Sequence, residues 1–285
     1  MRIACIIVAH KYPQQIERLV KRFNHDAFDF YIHLSKQIPA TDFEYLKNRK
    51  NVYFVQNRIE VRWGAYTIVE AILSSIREVL ASGLSYDYIS IMSGQDYPIK
   101  PVSDIYAYLE KNAGKNFICF EEGEGGNWWN HAISRVNKYH FTNFQFRGRH
   151  RLEAIVNSLL PKRKFPLPYT LYGNRGAAWM TLRTDCAQYV VDFIAGNKKL
   201  ERFAILTWAP DEFLLPTIIM NSTFRDTVIN NNFYHMNWAS GSSNPTILTT
   251  TDFDTLVKSD KMLARKFDIV EDPAIMDMLD TKFAG

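Results

Sequence analysis

Short apolar runs separated by stretches of helical periodicity fill the first 120 residues. That alternation restricts the chain to a mostly parallel sheet covered by helices, an α/β architecture. Candidate strands are Ile3–Ala9, 30–34, 52–55, Tyr88–Ser93 and 117–120. Between the third and the fourth, Ile68, Ile72, Ile76 and Val79 recur at helical spacing and predict a helix over 65–81. Residues 104–111 form another. Over 121–169 the periodicity is lost and Gly, Trp, Arg and Pro accumulate, so 121–170 is expected to be a loop-rich insertion carrying substrate contacts on the acceptor side. Regular structure resumes at 176–182 and in a helix over 184–195. A second helix starts at Pro210-Asp211-Glu212, where a proline and two acids form a helix start, and a last one is expected over about 252–266. With no internal repeat and no clean linker, 1–285 reads as a single domain.

Hydrophobic residues make up 47% and charged residues 22% of the 285, which excludes disorder as the main state. Cys5, Cys119 and Cys186 sit in apolar runs without a CxxC pair, a pattern of reduced intracellular thiols and not of a disulfide framework or zinc cluster. The apolar run at residues 3–9 is short and ends in His10-Lys11-Tyr12-Pro13 with no small-residue cleavage site, so it reads as a strand and not as a signal peptide. No stretch approaches the ~20 apolar residues of a membrane span. A soluble or peripheral protein is expected.

Charge is uneven along the chain. Net charge is +4, yet 141–168 alone holds six cations, Arg147, Arg149, Arg151, Lys162, Arg163 and Lys164, against Glu153, a local +5 that leaves the remainder at −1. With Leu152, Ile155, Val156, Leu159 and Leu160 among them, these cations suit contact with anionic lipid or a phosphate-bearing ligand; a solvated face of one helix fits equally.

The chain has no GxGxxG, Walker, HExxH or GxSxG motif, and its seven histidines are scattered without metal-ligand spacing. Nicotinamide-dependent reduction, P-loop hydrolysis and zinc hydrolysis lose support. Four clusters remain that are too polar or too aromatic for their positions: Arg62-Trp63-Gly64-Ala65, the run from Met92 to Lys100, Trp208-Ala209-Pro210-Asp211-Glu212, and Ala264-Arg265-Lys266-Phe267-Asp268. The second follows a central strand, where open α/β sheets bind ligands. Taken singly, each also fits a turn, a packed aromatic or a helix end.

Taken in order, with His10, Ser93-Gly94-Gln95-Asp96-Tyr97-Pro98, Gly176-Ala177-Ala178-Trp179, and Trp238 with Gly241 and Pro245, these clusters resemble one family. It is the core-2/I-branching β-1,6-N-acetylglucosaminyltransferases, which with the peptide O-xylosyltransferases form glycosyltransferase family 14. The resemblance runs from about Ile3 to about Leu279. It implies a GT-A fold, Rossmann-like with a mostly parallel central sheet flanked by helices, and inverting transfer from a UDP-sugar to an acceptor hydroxyl with no required metal or cofactor. Glu212 matches the catalytic base. Val8, His10, Ser35, Trp63, Ser93, Gln95, Asp96, Arg265 and Lys266 fall on the nucleotide and donor side, and Trp128, Trp129, Arg135 and Trp238 on the acceptor side.

Inverting transfer needs one ionised carboxylate to take the acceptor proton. A helix start holds Glu212 ionised while burial raises its pKa. Asp211 is adjacent, and neighbours on a helix diverge by about 100°, so only one acid is expected to face the reaction, with Asp211 capping or supporting. Pro216 cannot donate to the Glu212 carbonyl, so the helix is expected to kink or start loosely there. Lys266, with Arg265, supplies positive charge for the leaving diphosphate. Asp252-Phe253-Asp254 is read as helix capping, since it opens the last helix. Two positions depart from the family: Ser35 stands where many members carry an aspartate, and 242–245 lacks a second cation, for which Arg135 and Arg175 are candidates by location. The flat faces of Trp128, Trp129, Tyr139 and Trp238 suit stacking on sugars, with at least one of the adjacent tryptophans exposed.

The expected protein is therefore a bacterial cytoplasmic enzyme, peripheral to the inner membrane, that transfers N-acetylglucosamine to a glycan or glycolipid acceptor and has no nucleic-acid partner. A UDP-xylose-dependent xylosyltransferase and a catalytically silent carbohydrate- or membrane-binding protein are the alternatives.

Overall fold

The computed structural model describes residues 1–123, 126–239 and 241–283. The strands are β1 (Ile3–Ala9), β2 (Phe28–Leu34), β3 (Val52–Phe54), β4 (Tyr88–Ser93), β5 (Asp96–Pro98), β6 (Asn116–Ile118), β7 (Glu121–Glu122), β8 (Tyr172–Gly173), β9 (Thr181–Arg183), β10 (Val228–Asn230), β11 (Tyr234–Met236) and β12 (Leu263–Arg265). The helices are α1 (Pro13–Arg22), α2 (Thr67–Leu80), α3 (Val102–Lys111), α4 (Asn127–Asn137), α5 (Arg149–Leu159), α6 (Thr184–Gly196), α7 (Lys198–Ile205), α8 (Leu214–Met220), α9 (Phe253–Lys258) and α10 (Ala274–Lys282).

Among the described residues a central sheet runs β10-β6-β9-β4-β1-β2-β3. Every pairing in it is parallel except those of β9, which lies antiparallel between β4 and β6. All seven residues of β1 and all seven of β2 are buried, as strands covered on both faces must be. Helix α2 covers part of one face by burying Val69, Ile72, Leu73, Ile76 and Val79, and packs on β1, β2 and α6. The mostly parallel sheet flanked by helices is thus present, and its carboxyl edge, where β1 and β4 end at Ala9 and Ser93, opens into a cleft.

Three expectations about elements change. The last helix does not reach residue 266: α9 ends at Lys258, and Leu263–Arg265 forms β12, parallel to β11 and antiparallel to β5. Leu263, Ala264 and Phe267 are buried, a spacing that fits a short strand as well as a helix, and the pairing with β5 decides for the strand. Segment 121–170 is more regular than expected, because it contains α4 and α5. The break near Glu212 lies at Phe213 (φ −144°, ψ −22°), between the short turn Pro210–Glu212 and α8. Pro216 sits in the first turn of α8, where its missing N–H is not needed, so it introduces no kink. Asp252 does cap: its side chain accepts the Thr249 N–H at 2.8 Å in a capping box.

Two of the sequence clusters brace each other. Gly64 has φ +68°, and a Cβ there would lie 2.5 Å from Trp208 Nε1. Its carbonyl accepts the Ala209 N–H at 2.7 Å. Gly64→Ala therefore meets both a left-handed backbone and a ring, and is expected to cost about 3 kcal/mol. Gly83→Ala, with φ +75° but open space around it, is expected to cost about 1 kcal/mol. Urea unfolding of the two variants measures the difference.

Candidate active site

The cleft beyond β1 and β4 has a volume of about 390 Å³, within the range of small-ligand sites. Val8, His10 and Ser93 come from the sheet edge, Trp63 from the loop before α2, Asp211 and Glu212 from the turn before α8, and Arg265 and Lys266 from the end of β12. The carboxylates and the cations therefore share one cavity, although they lie more than fifty residues apart in the chain.

The acidic wall is built on buried aromatics. Trp128, Trp129, Ala132, Val136, Phe203 and Phe213 form a satellite core behind it, and Gly173 leaves no space for a Cβ between the Trp128 ring and the Glu212 carbonyl. Arg135 Nη1 pairs with Glu212 Oε2, and its guanidinium lies 4.3 Å from the Trp208 ring centroid and 5.2 Å from that of Trp128. Burial pushes the Glu212 carboxyl above its ordinary pKa, against the opposing pull of Arg135, Arg175 and Trp128. Burial and the neighbouring Glu212 charge push Asp211 up to about 7. Asp211 Oδ1 is buried with no hydrogen-bond partner.

The basic wall depends on a buried carboxylate. Asp96 accepts hydrogen bonds from the Ser93 N–H and Oγ–H, both at 2.7 Å, and from the Tyr234 hydroxyl at 2.9 Å. It also lies 3.6 Å from Arg265 Nε. Arg265 stacks on Trp179, 4.2 Å from the ring centroid, and its Nε and Nη1 are buried without hydrogen-bond acceptors. Burial, with Lys11 and Arg265 nearby, lowers the pKa of Lys266. Partial burial and the charges of Lys11, Lys266 and Arg265 lower that of His10. Gln95 Nε2 donates to the Phe267 carbonyl at 3.1 Å, tying the loop after β4 to the chain after β12.

Val8, His10, Trp63, Ser93, Gln95, Glu212, Trp238, Arg265 and Lys266 all line the cleft. The other expected site residues sit behind it. Ser35 is buried, and its Oγ accepts the Val61 N–H at 3.0 Å, so it holds a cleft residue without lining the cavity itself. Asp96 acts through Ser93 and Arg265. Trp128 and Trp129 are both buried, because their rings fill the satellite core, and neither offers a face to a sugar. Arg135 does not line the cleft: it is buried behind Glu212. Arg175 is stacked 5.1 Å from the Trp238 ring centroid, outside the lining, which leaves Arg265 as the cation beside Lys266. Asp211 lines the cleft together with Glu212, because an isolated turn projecting into the cavity keeps both acids in it. Trp179, the platform under Arg265, and Val61 also line the cleft; in the sequence Trp179 is marked only by the Gly176–Trp179 motif and Val61 only by its place before Arg62-Trp63-Gly64.

Asp211 has a definite signature in stability. Its folded-state pKa is above the ordinary 3.8, so the folded chain holds the proton more tightly. That contribution is complete below about pH 4 and is lost as pH rises through 7. Asp211→Asn is expected to stabilise the protein at pH 8 by about 1–3 kcal/mol, with the gain fading towards pH 4. Denaturant titrations across that range measure it.

The sequence model of the Core-2/I-Branching enzyme family matches residues 3–257. Among curated relatives, human (Homo sapiens) xylosyltransferase 2 is 24% identical over 315 residues, covering 100% of this chain and 34% of the relative. Xylosyltransferase 1 of Rattus norvegicus is 24% identical over 311 residues, covering 100% and 36%. The chain thus spans about a third of the length of these relatives. Among solved structures, TarS 1-349 of S. aureus aligns at 13% identity and TM-score 0.34, covering 66% of this chain and 49% of that one. With a family match across most of its length and the family's motifs gathered around one cleft, the chain belongs to the Core-2/I-Branching enzyme family, glycosyltransferase family 14.

Proposed function

We propose that this protein transfers a sugar from a UDP-sugar to a hydroxyl of a glycan or glycolipid acceptor, with inversion and without a metal ion. The observation that carries the reading is that Glu212, and Lys266 with Arg265, line one cleft of about 390 Å³.

In this reading Glu212 takes the proton of the acceptor hydroxyl as its oxygen bonds to the anomeric carbon and the bond from that carbon to the UDP oxygen breaks. The pair with Arg135 holds Glu212 ionised, and burial keeps it basic enough to accept the proton. Lys266 and Arg265, which line the cleft, carry the developing diphosphate charge. Val8, His10 and Trp63 border the nucleoside, Ser93 and Gln95 the donor sugar, and Trp238 the acceptor. N-acetylglucosamine is the first reading for the donor sugar. Xylose is the second, favoured by the xylosyltransferase relatives.

Glu212→Gln is expected to lower transfer by about 10²–10⁴-fold while UDP still raises the melting temperature. Lys266→Ala is expected to weaken UDP binding about tenfold or more. Retention of transfer by Glu212→Gln to within tenfold would remove Glu212 from the role of base. Thermal shifts with UDP-N-acetylglucosamine and UDP-xylose, each with and without chelator, separate the donors, and a shift that needs manganese counts against the metal-free account.

A further inference from the structure

Helix α5 has no buried residue. Leu152, Ile155 and Leu159, at i, i+3 and i+7 spacing, form one exposed stripe, with Leu159 76% exposed. Phe144, Phe146 and Leu160 from the flanking chain extend it. Arg147, Arg151, Lys162 and Lys164 are exposed beside the stripe in sequence. The acid of this segment turns inward: Glu153 accepts the Phe141 N–H at 3.0 Å and faces His140 at 3.3 Å. Arg163 turns inward as well and donates to the carbonyls of Lys138, Phe203 and Leu206, so it leaves the basic face that the sequence suggested. What remains outside is an apolar ridge flanked by cations. A solvated helix face does not carry three large aliphatic side chains in line, whereas an interfacial helix requires them, together with cations at headgroup level.

Two depressions share residues with this patch and with the cleft. Arg149 and His150 line both a shallow depression beside Phe146 and a second one that reaches Trp63 and Trp208. Trp63, 62% exposed, lines that second depression and the cleft containing Glu212.

We propose that the α5 patch docks the protein on an anionic lipid bilayer with the Trp63 mouth of the cleft turned towards the membrane. The docking does not rest on the function proposed above. The stripe enters the acyl boundary, and Arg147, Arg151, Lys162 and Lys164 meet the lipid phosphates.

The full chain is sedimented with vesicles of phosphatidylcholine alone or mixed with phosphatidylglycerol. Binding to the mixed vesicles only, weakening with added salt, is expected. Leu152→Ser/Leu159→Ser and Arg147→Glu/Arg151→Glu are each expected to lower the bound fraction about tenfold or more while leaving the thermal shift by UDP unchanged. Bromine-labelled lipid is expected to quench tryptophan fluorescence in the native chain and much less in Trp63→Phe. Absence of binding, equal binding to neutral vesicles, indifference to both double variants, or a self-association abolished by the same substitutions would each overturn the docking. Quenching unaffected by Trp63→Phe would overturn the orientation. If the vesicles bind the native chain and Glu212→Gln equally and no donor is turned over, the docking stands and the proposed function falls.

Discussion

The antiparallel pairing of β12 with β5 is the contact on which the cleft depends. It sets Arg265 opposite Asp96 and Ala264 opposite Tyr97, and so brings the basic end of the chain to the strand that follows the end of β4. Asp96 is the hinge of that arrangement. A buried carboxylate is costly unless several donors and a cation satisfy it, and here the donors are Ser93 and Tyr234 and the cation is Arg265. Gln15 adds a second fastening, donating to the carbonyls of Gly94 and Phe267 and accepting the Ile269 N–H. One side chain of α1 thereby holds the loop after β4 and the chain after β12 together. The position of Lys266 thus follows from polar contacts within the protein.

The acidic wall is positioned by a different kind of force. Glu212 sits on a single turn between Ala209, whose φ is +48°, and Phe213. No regular helix holds that turn; packing from behind does, through the Trp128 and Phe213 rings, the close fit at Gly173 and the stacked Arg135 guanidinium. Arg135 contributes twice: its guanidinium lies over the Trp208 and Trp128 rings while Nη1 meets the carboxylate. A lysine at this position would keep the charge but lose the planar stacking.

The parts of this fold that were legible in the sequence are those where periodicity and burial agree. β1, β4 and α2 are long, and their apolar residues lie on buried faces. β12 was not legible, because three residues carry no period and both of its partners are remote in sequence. Helix α1 was missed although Pro13 opens it and Ile16, Leu19 and Val20 follow at helical spacing; the buried Gln15 interrupts the apolar pattern for a reason of contact and not of helix formation. The site was legible as a set of motifs but not as a set of roles. Trp128 and Trp129 stand in a glycine-rich setting that suggests a surface, yet they are the core behind Glu212. Ser35 and Asp96 carry polar groups suited to a ligand, yet they spend them on Val61, Ser93 and Tyr234. Composition reveals that such groups need partners; only the fold says whether the partner is the protein or a ligand.

The same distinction explains why the cleft favours an asymmetric ligand. On its basic side, Lys266 is held below its ordinary pKa by burial and by like charges. An anion placed there opposes the repulsion among Lys11, Arg265 and Lys266. On its acidic side, Asp211 and Glu212 are held above their ordinary pKa, so a second anion would raise the cost, whereas a hydroxyl adds no like charge. A molecule charged at one end and hydroxylated at the other satisfies both walls, and its reverse orientation satisfies neither. The electrostatics therefore select direction as well as occupancy, which a reaction at one bond between the two ends requires.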